Sequence, residues 1–123
     1  MIQVLAAPGH VAAFHLAGTV TAGDYDRMLP RIEEKLETHA DIGVLADLTG
    51  FGDMRAGAIV RDFQYGLGKL GQAHRFRRAA VISDKQWIKA ATEMTDRLFP
   101  QIESRVFPED EQDLAMRWVA DIQ

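Results

Sequence analysis

The chain has 123 residues, 47% of them hydrophobic, and 14 Lys and Arg against 18 Asp and Glu give a formal net charge of -4. This length predicts one domain over residues 1–123, and the composition excludes an intrinsically disordered chain. The absence of cysteine excludes disulfides, thiolate metal sites and a cysteine nucleophile. The mild acidity argues against a nucleic-acid partner. Without a long apolar run or a leader-like start, we expect a cytoplasmic protein with no transmembrane segment.

Short apolar runs alternate with amphipathic stretches, which is typical of an α/β layered domain. Residues 2–6 and 11–17 flank Pro8-Gly9, and this predicts an antiparallel hairpin closed by a type II turn. A first helix follows, capped by Thr21, with Pro30 marking a kink or a second helix start. Its inner stripe consists of Tyr25, Met28, Leu29, Ile32 and Leu36.

The later elements follow the same alternation. They are a buried strand at 43–48, a helix near 55–70, a strand at 78–83, a helix that ends at Pro100, an edge strand at 103–107 and a helix after 109–111. The core-facing stripe of the last helix is predicted to consist of Leu114, Ala115, Trp118, Val119 and Ile122. The order β-β-α-β-α-β-α-β-α predicts a mixed, mainly parallel sheet backed by helices, with the hairpin strand at one edge.

Polar residues follow several of the predicted strands, where ligands of open parallel sheets gather. They are Thr19, Thr21, Asp47, Thr49, Ser83 and Asp84, with Arg55 in the loop beyond Asp47. Two interpretations remain open. These residues could line one polar crevice, or Thr21, Ser83 and Asp84 could cap helices while Asp47 ties down its own loop.

No catalytic or metal constellation is recognisable in the sequence. Ser83 and Ser104 lack the Gly-x-Ser-x-Gly elbow of hydrolases. Gly66 to Gly71 matches Gly-x-Gly-x-x-Gly, but it lies within a helical stripe and too close to the next strand for a dinucleotide site. The basic cluster 74–78 favours a solvated connection. No metal-ligand spacing occurs among His10, His15, His39 and His74. We therefore expect no enzyme, no metal and no cofactor.

The residues also resemble a known family. The stretches 14–25, 45–51, 63–70, 79–87 and 105–108, followed by a Trp-containing last helix, resemble the SpoIIAA-like family of small bacterial STAS-type domains, and this ordered set extends over nearly the whole chain. The resemblance implies a STAS-like fold, with a mixed sheet backed by helices. It implies little about activity.

One motif departs from the pattern of related regulators. Anti-sigma-factor antagonists with this fold carry Asp-Ser-Ser-Gly after an Asp-Leu-Ser-Gly strand end, and the second serine is phosphorylated. This chain has Asp47-Leu48-Thr49-Gly50 and then Asp53-Met54-Arg55-Ala56-Gly57. Matched at the glycine, Ala56 replaces the phospho-acceptor. The resemblance therefore implies that no phosphorylation switch operates at that position.

The leading hypothesis is a non-catalytic regulatory or protein-interaction domain, with a partner or a homodimer bound through a helix face near 55–70. The alternative is a binder or carrier of a small apolar or lipid ligand, since the family also looks similar to Sec14-type lipid carriers. A mobile second helix would then form a lid. The candidate pocket residues are Phe63, Leu67, Asp47, Thr49, Arg55 and Ser83. A small enzyme that uses Asp47, Arg55 and Ser83 ranks last.

Overall fold

The computed structural model describes residues 2–18, 22–49, 75–84 and 102–122. In these ranges the elements are β1 (Ile2–Val4), β2 (Val11–Leu16), α1 (Ala22–Thr38), β3 (Ile42–Asp47), β4 (Phe76–Ile82), β5 (Glu103–Phe107) and α2 (Gln112–Ala120). The helices expected near 55–70 and between Ser83 and Pro100 lie outside the described residues, as does the Gly66 to Gly71 motif. No helix in the described ranges is long and apolar enough to cross a bilayer.

The strands form one five-stranded sheet in the order β1-β2-β3-β4-β5. β1 is antiparallel to β2, and every other neighbouring pair is parallel. This confirms the predicted mixed, mainly parallel sheet with the hairpin strand at one edge. Strands β2 to β5 run in the same direction, so the sheet has a carboxyl end, where Leu16, Asp47, Ile82 and Phe107 lie, and an opposite amino end.

Each face of the sheet carries its own core. In β2, Ala12 and Phe14 point to the face covered by α1, whereas Val11 and Ala13 point to the face covered by α2. Such a strand is buried on both faces, which explains its almost continuous apolar run. His15 interrupts that run and shares the α2 face.

A register shift in β4 sets where its arginines point. Ile42 pairs with Phe76 but Gly43 pairs with Arg78, so Arg77 is an extra residue in β4. The extra residue lets Phe76 pack in the α1-face core while Arg78 reaches α2 on the opposite face. Without it, two residues so spaced would share one face.

Gly43 lies where α2 crosses β3 at close range. A Cβ atom added there would lie 2.6 Å from the carbonyl oxygen of Val119 and 2.8 Å from its Cγ2. Only glycine therefore allows the end of α2 to approach the sheet this closely.

The hairpin prediction is confirmed in its pairing and wrong in its turn. Val11 N–H donates to Pro8 O at 2.9 Å, and Gly18 has the only positive φ among the described residues. Gly9 therefore does not adopt the type II conformation. The longer connection allows Leu5 and Ala7 to pack against the α2-face core, which a tight turn would prevent.

The two helices bear on two further predictions. Pro30 lies inside one continuous helix, so of the two alternatives, a kink or a second helix start, the second is wrong. In α2, Ala115 and Val119 are buried as expected, but Leu114 is 48% exposed. The stripe packs on β3 and β4 through its buried residues, and Leu114 does not share in that burial.

Candidate functional site at the carboxyl end of the sheet

Asp47 is the last residue of β3 and points to the α2 face. Its register partner in β2 is His15, whose side chain lies on the same face because paired residues of parallel strands do so. The Asp47 side chain is 7% exposed and that of His15 is 25% exposed. A carboxylate this buried must have hydrogen-bond partners, and Asp47 has several.

The two oxygens of Asp47 have different partners. Oδ1 accepts hydrogen bonds from the Thr49 backbone N–H at 2.9 Å and from the Thr49 hydroxyl at 2.7 Å. Oδ2 accepts one from Gln112 Nε2 at 3.3 Å and lies 3.2 Å from His15 Nδ1. We call these four residues the Asp47 latch, because they join the residues after β3 to β2 and to the beginning of α2.

The beginning of α2 suits a buried carboxylate. Gln112 is the first residue of that helix, and Glu111 before it makes no side-chain capping hydrogen bond. The backbone N–H groups of a first helical turn lack intrahelical partners and carry partial positive charge. Asp47 therefore lies near the positive end of the α2 dipole.

Each oxygen of Asp47 holds a different part of the chain, Oδ1 the residues after β3 and Oδ2 the beginning of α2. This supports the interpretation that Asp47 ties down its own loop. In the described part of the chain, no three His, Cys, Asp or Glu residues are grouped to hold a metal ion.

Ser83 and Asp84 follow β4 at the same end of the sheet. Ser83 is buried, and its backbone N–H donates to Phe107 O at 3.0 Å. The Asp84 side chain accepts a hydrogen bond from the Glu109 N–H at 3.2 Å. Asp84 thus holds the turn after β5 in place. This contact differs from the helix-capping role predicted for Asp84.

The structure brings together Asp47 and Thr49 and places Ser83 at the same end of the sheet. Outside the described residues lie the predicted site residues Thr19, Thr21, Arg55, Phe63 and Leu67, together with Ala56. Sequence reasoning missed two members of the latch, His15 and Gln112. The only signal for His15 is its polarity in an apolar strand, and Gln112 carries none beyond its place at a helix start.

A cleft of about 430 Å³ lies away from the latch, between α1 and the connection from β1 to β2. Apolar residues of that connection form one wall, and polar residues of α1 form the other. Its lining includes Leu5, Ala7, Phe14, Arg31, Lys35 and His39. The pocket predicted from the sequence involved Phe63 and Leu67 instead.

The basic cluster proves to be more than a solvated connection. Arg75 donates to backbone carbonyls at the end of α1, namely those of Leu36, His39 and Ala40. Arg77 lies 3.5 Å from a carboxylate oxygen of Asp41, and Arg78 lies 3.2 Å from one of Glu103. These arginines therefore hold parts of the fold together.

Comparison with known proteins agrees with this architecture. The sequence model of the SpoIIAA-like family matches residues 11–120. The chain belongs to the SpoIIAA-like family. Among solved structures it is similar to an uncharacterized protein of the DUF3478 family with a SpoIIAA-like fold from Shewanella loihica PV-4. The two share 28% sequence identity and a TM-score of 0.66, over 97% of this chain and 92% of that one. No curated protein matches the chain. The predicted family and STAS-type fold are both confirmed.

Proposed function

We propose that this SpoIIAA-like protein is a non-catalytic regulatory domain that binds a protein partner through the surface around the Asp47 latch. The observation that carries the proposal is the engagement of both Asp47 oxygens by Thr49 and by the beginning of α2. A buried carboxylate used in this way fixes the start of a loop on a rigid sheet. Binding residues are commonly presented by loops held in this manner.

The same loop carries the phosphorylation site in the anti-sigma-factor antagonists that this chain resembles. Here Ala56 offers no hydroxyl at the matched position. We therefore propose that partner binding is not switched by phosphorylation at that residue.

The charge around the latch suggests the chemistry of the partner. Several exposed acidic residues lie on the turn after β5, at the start of α2 and just after β4, and the chain has a net negative charge. They are Asp84, Glu109, Asp110, Glu111 and Asp113. Charge complementarity favours a partner with a basic surface, and association should weaken as salt increases.

A photo-crosslinking amino acid tests this surface. Placed at Glu109 in cells that express the natural protein, it should yield a discrete adduct, whereas the same group at Glu33 on the exposed side of α1 should not. Adding the substitutions Glu111→Lys and Asp113→Lys should reduce the Glu109 adduct. No adduct at Glu109, or an equal adduct at Glu33, would contradict the proposal.

The second candidate function is binding of a small apolar or lipid ligand. The observation in its favour is the cleft beside α1, whose volume of about 430 Å³ falls within the roughly 300–1,000 Å³ usual for small-molecule sites. The pocket lined by Phe63 and Leu67 under a mobile second helix remains a prediction. Native mass spectrometry of freshly purified protein separates the two functions, because a carrier should show a bound mass and a pure interaction domain should show the bare chain.

A further inference from the structure

β5 is the last strand of the sheet, and in the described part of the chain no strand pairs with its outer side. The helix α2 packs on β3 and β4, and of β5 it contacts Phe107. On the α2 face of β5, the side chains of Glu103 and Arg105 are therefore exposed.

The hydrogen bonds of the sheet show which residues of β5 face outward. Phe107 O accepts the N–H of Ser83, so Phe107 directs its backbone groups toward β4. Successive residues of a strand direct their N–H and C=O to alternate sides, so Glu103 and Arg105 also face β4. Ser104 and Val106 therefore present their N–H and C=O to the outside.

We infer that β5 pairs with β5 of a second copy of this chain, in antiparallel orientation around a twofold axis at Ser104. In this register Ser104 faces Ser104 of the other copy and the two residues exchange two hydrogen bonds, as outward-facing residues of an antiparallel pair do. Glu103 then faces Arg105 of the other copy, and the symmetry repeats that pair. The two sheets become one continuous sheet.

Charge selects this register over its neighbours. A twofold axis at Glu103 would place two carboxylates opposite each other, and an axis at Arg105 would oppose two guanidinium groups. Like charges directly opposite each other destabilise a strand pair, whereas opposite charges stabilise it. Charged residues on an edge strand commonly prevent pairing with another chain. Here the charges of Glu103 and Arg105 oppose the registers with an axis at either of these residues and favour the one with an axis at Ser104.

The monomer already holds both charges on the α2 face. Glu103 lies 3.2 Å from Arg78 of β4, and the guanidinium carbon of Arg105 lies 5.1 Å from the centre of the Phe107 ring. In the dimer each Glu103 lies between Arg78 of its own chain and Arg105 of the other. Pro108, which follows β5, has no N–H, so the pairing ends there.

The interface is small and the dimer is expected to be weak. Interfaces below about 1,200 Å² are typical of transient complexes, and a pairing of such short strands belongs to that class. We therefore expect reversible association in the micromolar range or weaker. It uses a surface different from the Asp47 latch, so it does not depend on the proposed function.

Cysteine cross-linking tests the register, because the chain has no cysteine of its own. Glu103→Cys and Arg105→Cys are made as separate proteins and oxidised alone and after mixing. Opposed residues of the Ser104 register have Cα atoms about 4.5 Å apart, within the roughly 4.4–6.8 Å that disulfides span. Identical positions lie on the diagonal, about 7–8 Å apart. A disulfide dimer should therefore form efficiently only in the mixture, where the second Glu103–Arg105 pair is intact.

Charge reversal provides the second readout, by sedimentation equilibrium over a wide range of concentration. Glu103→Arg or Arg105→Glu alone should weaken the dimer roughly tenfold or more, because two attractive pairs become repulsive. The double variant should recover most of the affinity. Arg117→Glu, an exposed reversal on α2, serves as the control and should leave the affinity unchanged.

A wild-type protein that sediments as a monomer at every concentration would overturn the inference. Equal cross-linking in mixed and unmixed samples would overturn it as well, and so would a dimer that is unaffected by either reversal. None of these results bears on the Glu109 photo-adduct, so the two proposals fail separately.

Discussion

The two ends of the sheet are organised by opposite charges. At the amino end, the polar contacts are made by arginines: Arg75 donates to carbonyls at the end of α1, and Arg78 donates to Trp118 O at 2.7 Å near the end of α2. At the carboxyl end, the corresponding position belongs to the carboxylate of Asp47, which lies by the beginning of α2.

The difference follows from the direction of the helices. Both α1 and α2 run opposite to the parallel strands, so both end at the amino end of the sheet. The last carbonyls of a helix lack partners and carry partial negative charge, which cations neutralise. The ring of His10 also contacts this end of α2, with Nε2 2.7 Å from Ala120 O.

We expect the contacts at the amino end to serve stability and those at the carboxyl end to serve partner binding. The arginines at the amino end fasten whole helices to the sheet, and we expect their loss to lower the free energy of unfolding substantially. The Asp47 latch fastens the start of one loop. We expect its loss to reduce stability less and partner binding more.

The largest effect is expected at the amino end for Gly43→Ala. The added methyl group would meet the backbone of Val119 at 2.6 Å, so α2 must move away from β3. Such overpacking should lower the free energy of unfolding by about 3 kcal/mol in urea denaturation. Gly9→Ala is the control, since its methyl group would meet only the ring of His39 at 3.3 Å and no backbone atom. Equal losses for the two variants would show that α2 does not constrain β3.

Arg75→Met should have the next largest effect. It removes the donors to the last carbonyls of α1 and leaves these partly buried groups without a partner from Arg75, so we expect a loss of about 2 kcal/mol. Arg77→Met removes only an exposed pair with Asp41 and should lower stability by less than about 0.5 kcal/mol. If both variants unfold at the same urea concentration, the capping of α1 by Arg75 contributes nothing to stability.

Asp47→Asn tests the contacts at the carboxyl end of the sheet. The amide can still accept from Thr49, but its NH₂ group would oppose the donor of Gln112, so we expect a loss of about 1.5 kcal/mol. Hydrogen exchange of the Thr49 amide should accelerate, and the Glu109 photo-adduct should decrease. Glu33→Gln, on the exposed side of α1, should change none of these. An adduct that survives in Asp47→Asn and disappears in Arg75→Met would reverse the roles of the two ends.

Local patterns predicted much of the fold. The strand at Glu103–Phe107 has the bounds expected from its alternation, and the interpretation that Asp47 ties its own loop agrees with its bonds to Thr49. Both depend on residues close together in sequence. The order of strands and helices then predicted the mixed sheet, because handed crossovers leave few alternatives.

Contacts between distant segments could not be predicted in the same way. Gln112 reaches Asp47 only because α2 lies across β3 and β4, and Arg75 reaches the end of α1 only once β4 is paired with β3. The exposure of Leu114 could not be predicted either. A helical stripe predicts which residues share a face, but it does not predict which of them are covered.

The smallest effect tests whether the latch acts as a unit. Gln112→Ala should cost about 0.5 kcal/mol, because its hydrogen bond to Asp47 is 3.3 Å long and lies near the surface. Gln3→Ala, on the exposed side of β1, should cost nothing measurable.

A double-mutant cycle then tests whether Gln112 and Asp47 act together. If Gln112 acts through Asp47, then Gln112→Ala should have little further effect in an Asp47→Asn background. Additive losses would mean that Gln112 stabilises α2 alone. The latch would then reduce to the local turn of Asp47 and Thr49, and the loop after β3 would be fastened to the sheet but not to the helix.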